Sequence, residues 1–232
     1  LGLNAGAEGP LNNKDDGSSY LLNYRYSTLG ILGALGLHIV DENTTNTYQD
    51  LSFKFNLPNT KKSRISIFGI GGLSDEIGIT KTDTAEWVEY AHRFKKTFKT
   101  NLAVLGVSWT QLIDDKSYLK TVLAGTYNDV VDGDETLDFN FNLHPIRNTE
   151  FNNTRIALHS FYNRKLNSKL SLRAGIHADE NFYSFQESKY IDSLDQTVTL
   201  INGSGNTTTI QPYAQVKYRP TATTILVGGL HA

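Results

Sequence analysis

The side chains able to carry chemistry in this chain are few and widely spaced. Its histidines stand at His38, His92, His144, His159, His177 and His231, and no two share the i, i+4 spacing by which one helix face grips a metal, so no metal centre is expected. There is no cysteine, which removes thiolate nucleophiles, disulfides and Cys-based zinc sites. No serine stands in a G-x-S-x-G elbow, and FGIGGLS at 68–74 has neither the spacing of a nucleotide loop nor a helix after it. Asn128, Asp129, Asp132, Asp134 and Glu135 gather hard oxygen donors around Gly133. Their order departs from a calcium loop, so a solvated acidic loop over 128–135 is the simpler reading and calcium the alternative. Asp114 and Asp115 fall in a tight turn, where Asp is favoured for local hydrogen bonding rather than catalysis. No catalytic residue, enzyme activity or cofactor is expected.

Recognition has better material. Trp87, Tyr90, His92 and Arg93 lie in one long connection, and Phe139, Phe141, His144 and Arg147 in another. Aromatics beside a few oriented polar groups suit capture of an unidentified small ligand. The competing reading is that these rings pack on one another and merely order the loops. A second set, Arg155, His159, Arg173, His177 and Asp179, sits on neighbouring strand-like stretches.

The second set shows what must position it. In LSLRAGIHAD, Leu170, Leu172, Ala174, Ile176 and Ala178 fall on one parity; Ser171, Arg173, Gly175, His177 and Asp179 fall on the other. This is the period of two of a strand with one oily and one wet face. The pattern recurs in about ten stretches, near 1–10, 18–28, 47–57, 63–74, 98–113, 118–130, 154–166, 170–186, 207–219 and 222–232. Glycines inside them suit bends in a curved sheet. Connections after the odd stretches are short, whereas those after the even ones run roughly 18, 23, 23 and 20 residues, longer than compact soluble domains usually carry. Outer-membrane barrels alternate tight turns and long loops in this way. Tyr20, Tyr118, Tyr162 and Tyr218 stand beside the short turns, as an interfacial aromatic girdle would.

The net charge of -2 and pI near 6.3 provide no basic field for nucleic acid. The most apolar stretch, 29–40, spans about a dozen residues with glycines in it, too short for a membrane helix. The chain opens LGLNAGAEGP, without the basic and apolar regions of a signal peptide, and reads as a mature or partial sequence.

Five segments, EGPL (8–11), SSYLLNYRYSTLGIL (18–32), TYQDLSFKFNLP (47–58), SIFGIGGLSD (66–75) and YAQVKYRPT (213–221), together resemble barrel segments of TonB-dependent outer-membrane receptors of the Bacteroidota type. The resemblance runs in order over most of the chain. It implies that all of 1–232 is an antiparallel transmembrane β-barrel segment of about ten strands within a 22-stranded barrel, without the plug domain. It further implies import of a nutrient across the outer membrane of a Gram-negative bacterium, contact with outer-membrane lipid, coupling to TonB through that plug, and a surface lipoprotein as a further partner. Arg155, His159, Arg173, His177 and Asp179 would then face a hydrated lumen, where charge is cheap. The chain ends in GGLHA, without the terminal aromatic common in such barrels, which suits an internal portion of a longer receptor. Two alternatives stay open: an autonomous ten-stranded outer-membrane barrel, including one of the protease kind, and a soluble all-β binding module such as a sandwich or lipocalin-like barrel.

Overall fold

The structure is a computed structural model that describes residues 2–14, 16–27, 29, 44–88 and 90–232, with the backbone alone at 90 and 91. The apolar stretch 29–40 and His38 lie almost wholly outside the described residues. Ten strands follow in order: β1 (Gly2–Pro10), β2 (Ser19–Ser27), β3 (Thr44–Asn56), β4 (Ser63–Gly78), β5 (Phe94–Asp114), β6 (Ser117–Leu137), β7 (Leu143–Lys165), β8 (Leu170–Ile191), β9 (Gln196–Tyr218) and β10 (Leu226–His231). They form one antiparallel sheet in which each strand pairs with its neighbours in sequence. Within the described residues β1 pairs only with β2 and β10 only with β9, so the sheet is open at both edges.

Register converts the alternation of single strands into continuous rows. One row reads Tyr20, Phe55, Ile67, Val107, Leu123, Leu158, Ala178, Ile210 from β2 to β9. The row one residue away, on the other face, reads Ser19, Asn56, Ser66, Ser108, Val122, His159, His177, Gln211. Each row agrees with its own kind because a slip of one residue would turn a whole strand over.

Among the described residues no second layer covers the apolar rows. Among the described residues the only buried hydrophobic side chains are Leu137 and Phe161, while Ile210 is 61 % exposed and Leu105 59 %. A soluble sandwich or lipocalin-like barrel would bury one face of its sheet against another layer or against itself. Among the described residues this sheet has no such core, unlike the arrangement that the soluble-module reading expects.

Four interior glycines lie directly opposite aromatics: Gly69 faces Phe53, Gly106 faces Phe68, Gly175 faces Phe161 and Gly205 faces Tyr183. At each, an added Cβ would run into the opposing ring or the backbone beside it. The glycine expected to bend the sheet therefore makes room for a ring across the strand boundary. Phe68, whose parity breaks the alternation of β4, lies on the polar face for this reason.

The largest departure from expectation concerns strand length. The connections expected to be long after β6 and β8 are the five residues 138–142 and the four residues 192–195, because β5 to β9 run to 21–23 residues each. Strands of that length, at ~3.3 Å per residue and ~40° tilt, rise roughly 50–60 Å, about twice an apolar band of ~25 Å. In the extra length the division of faces ends: Asn101, Asp129, Asn152, Ser184 and Asn206 continue the apolar parity upward, while Val130, Phe151 and Phe185 fall in register on the other parity. Without a continuous oily face there is no clear period of two to see. The turns at the opposite end, 57–62, 115–116 and 166–169, are short as expected.

Candidate functional site

At the end of the sheet away from those short turns, the connection 79–93 folds over the turn 138–142. The sequence starts a 3-10 helix, Thr84–Glu86, where the Asp83 side chain accepts from the Ala85 N–H at 2.9 Å, and this cap directs Trp87 inward. The Trp87 indole N–H donates to the Lys81 carbonyl at 2.8 Å, and its ring centroid lies 5.8 Å from those of both Phe139 and Phe141. The Arg93 guanidinium stacks 4.9 Å from the Trp87 ring and 5.5 Å from Phe139, and donates to the Leu137 carbonyl at 3.0 Å. His92 Nδ1–H donates to the Glu86 carbonyl at 2.6 Å.

The five-residue turn is built around Asp138. Its carboxylate accepts the backbone N–H groups of Asn140 and Asn142 at 2.8 Å each and lies 3.0 Å from His144 Nε2. These bonds, that of His144 foremost, hold the Asp138 carboxyl well below the usual carboxylate range. Phe141 takes a left-handed backbone, φ 62°, which a non-glycine residue keeps only when its surroundings enforce it; here the Trp87 contact does so.

Thus Trp87, Arg93, Phe139 and Phe141 come together and pack on one another, with His144 beside them. Phe139 nevertheless stays 75 % exposed, so the cluster presents an aromatic surface as well as ordering the loops. Tyr90 belongs to the short helix Tyr90–Arg93. His144 and Arg147, expected in a loop, stand on β7 because that strand begins at Leu143. Beside the cluster lies a cleft of about 500 Å³. Arg93, Asp138, His144, Lys189, Tyr190 and Asp192 line it together with Phe94, Pro145 and Ile146. The sequence reading missed Asp138, Lys189, Tyr190 and Asp192, since only the lengthening of β7 and β8 brings them to this end.

The acidic stretch is not a loop. Residues 128–135 lie on β6, where Arg147 forks to Asp132 at 3.0 Å and Asp134 at 3.5 Å, Lys95 reaches Glu135 at 3.1 Å, and Asn101 donates to Asp129 at 3.0 Å. Cross-strand cations and an amide thus hold these acids, and no cluster of three or more metal-ligating side chains occurs among the described residues.

The second predicted set shares one face. Arg155 grips Asp179 with two prongs, at 2.8 and 3.3 Å. One rung away the His159 and His177 rings stack 3.9 Å apart and nearly parallel, His159 Nε2 hydrogen-bonds Tyr213 Oη at 3.0 Å, and Arg173 sits 4.6 Å above Phe161. Of the expected girdle, Tyr118 points to this polar face, packing edge-on against Phe161 at 6.0 Å, since it shares the parity of Lys120 and Val122 along β6. Trp109, which the sequence reading passed over, lies on the apolar face instead, its indole N–H bonded to Ser63 Oγ at 2.9 Å.

No protein-family model matches the sequence, and no curated protein is significantly similar to it. Solved structures do share its fold. The ferric-catecholate import receptor Fiu from E. coli K12, in its open form, superimposes with a TM-score of 0.65 at 10 % identity, over 99 % of this chain and 46 % of that one. The copper transporter OprC gives 0.60 at 12 %, over 99 % and 35 %, and the ferric yersiniabactin uptake receptor FyuA from Yersinia pestis 0.56 at 11 %, over 88 % and 32 %. The chain spans less than half the length of each of these proteins. They are transport receptors rather than enzymes. Ten antiparallel strands in sequence order, one face oily and uncovered, thus have the fold of a portion of a TonB-dependent receptor barrel.

Proposed function

We propose that this chain is part of the wall of a TonB-dependent outer-membrane receptor, of the Bacteroidota type, that imports a nutrient into a Gram-negative cell. The observation that carries the reading is the uncovered apolar face: rows such as Tyr20 to Ile210 need an apolar solvent, and lipid supplies one. The fold likeness to import receptors supports the same reading. The open edges favour completion by further strands, to 22 in all, over closure of these ten on themselves, since unpaired backbone groups in lipid cost several kcal/mol each.

In this arrangement residues 1–232 are all barrel wall. The polar rows, with Arg155, His159, Arg173, His177 and Asp179, line the lumen. The end carrying Trp87, Tyr90, His92, Arg93, Phe139, Phe141, His144 and Arg147 faces outward and meets the ligand first. TonB acts through a plug domain that is no part of this stretch, and a surface lipoprotein caps the outer end.

The test compares neighbours on β6. Leu123 belongs to the apolar row and Val122 to the polar one, so the two substitutions Leu123→Lys and Val122→Lys remove similar apolar side chains from opposite faces. In the full-length receptor Leu123→Lys is expected to cost roughly 2–4 kcal/mol of insertion into lipid vesicles, and Val122→Lys about 1 or less. Equal costs would defeat the membrane assignment.

A further inference from the structure

The rim cleft contains charges that no described residue answers. Lys189, exposed near the end of β8, forms no ion pair with any described residue, and its register partner Arg147 already takes Asp132 and Asp134. Arg93 has no carboxylate partner among the described residues either; its neighbours are aromatic rings and one carbonyl. Rings stabilise a guanidinium without cancelling its charge. On the acidic side Asp138 is occupied by His144 and its own turn, whereas Asp192 forms no ion pair with any described residue. Phe94, Pro145 and Ile146 supply apolar wall between these groups.

We propose that this cleft binds a small zwitterion of the peptide class, its terminal carboxylate between Lys189 and Arg93 and its ammonium toward Asp192. Two unpaired cations call for an anion, and a carboxylate matches a guanidinium edge and an ammonium together. A phosphate dianion would meet repulsion from Asp138 and Asp192 in the same cleft. The free acid at Asp192 is what distinguishes a zwitterion from a simple fatty or aromatic acid. The inference rests on the receptor reading, which makes the cleft an outward capture point.

The experiment is calorimetric titration of the detergent-solubilised full-length receptor with trialanine, trialanine amide and N-acetyl-trialanine. Trialanine is expected to bind saturably, the amide at least 10-fold more weakly, and the acetylated peptide several-fold more weakly. Lys189→Met should reduce trialanine binding at least 10-fold while leaving the amide nearly unaffected, and Lys189→Arg should restore most of the loss. Equal binding of acid and amide, no binding of trialanine, or an unchanged Lys189→Met protein would overturn the proposal. A receptor that passes the Leu123 and Val122 comparison yet fails here loses only the ligand assignment, whereas failure of that comparison removes the receptor reading itself.

Discussion

The lower and upper halves of β5 to β9 share one backbone ladder and one register, yet they are held together differently. In the lower half, rows such as Val107, Leu123, Leu158 and Ala178 gather aliphatic side chains on one face, and polar pairs such as Arg155 with Asp179 occupy the other. In the upper half that division ends, with Asp129 and Asn152 standing where the oily rows would continue and Val130, Phe151 and Phe185 in register on the other face. There the side-chain ties are the ion pairs of Arg147 and Lys95 and the Asn101–Asp129 hydrogen bond, topped by the Trp87 cluster. The difference teaches that a continuous strand need not have a continuous pattern, because the pattern reports the solvent on each side and the ladder of hydrogen bonds needs no pattern.

The comparison can be broken at several points. The largest effect belongs to the lower half, where Leu123→Lys should outweigh anything done above it. Next comes the cluster that caps the upper half: Trp87→Ala removes two ring contacts, the Arg93 stack and the anchor on Lys81, and should cost about 1–2 kcal/mol locally. Limited proteolysis should then cut within 79–93 while insertion into vesicles stays normal. Loss of insertion would mean that the halves do not fold independently.

A smaller effect is expected at Arg147, which is 39 % exposed. Arg147→Met should cost about 1 kcal/mol or less, since exposed ion pairs contribute little, and hydrogen exchange should rise only near the upper ends of β6 and β7. Exchange that spread into the lower rows would contradict the division. The smallest change concerns acid. The Asp138 carboxyl is held below its ordinary value, so its contribution to the turn is complete above about pH 4 and is lost only as pH falls through the lowered value. The fluorescence of Trp87 should therefore hold steady down to about pH 4 and change below it, and Asp138→Asn should abolish that transition.

Much of the lower half was legible in the sequence. The alternation in LSLRAGIHAD is enough to place Arg173, His177 and Asp179 on one face, because a strand sends successive side chains to opposite sides whatever surrounds it. Gly106 and Gly175 were visible as strand glycines, but their opposing rings, Phe68 and Phe161, become evident only once register is known. At the rim, Trp87, Arg93, Phe139 and Phe141 stood out by residue type. Their meeting did not, since nothing local says that 79–93 folds over 138–142.

The sequence by itself determined the fold class, the two faces, the short turns and the residues worth watching, for all of these follow from period and residue type within a few positions. Only the tertiary structure decided how far each strand runs, which acids Arg147 neutralises, and that Arg93, Lys189 and Asp192 line one cleft. Those depend on pairing between residues far apart in the chain, and where the division of faces ends no continuous hydrophobic pattern survives to announce the pairing.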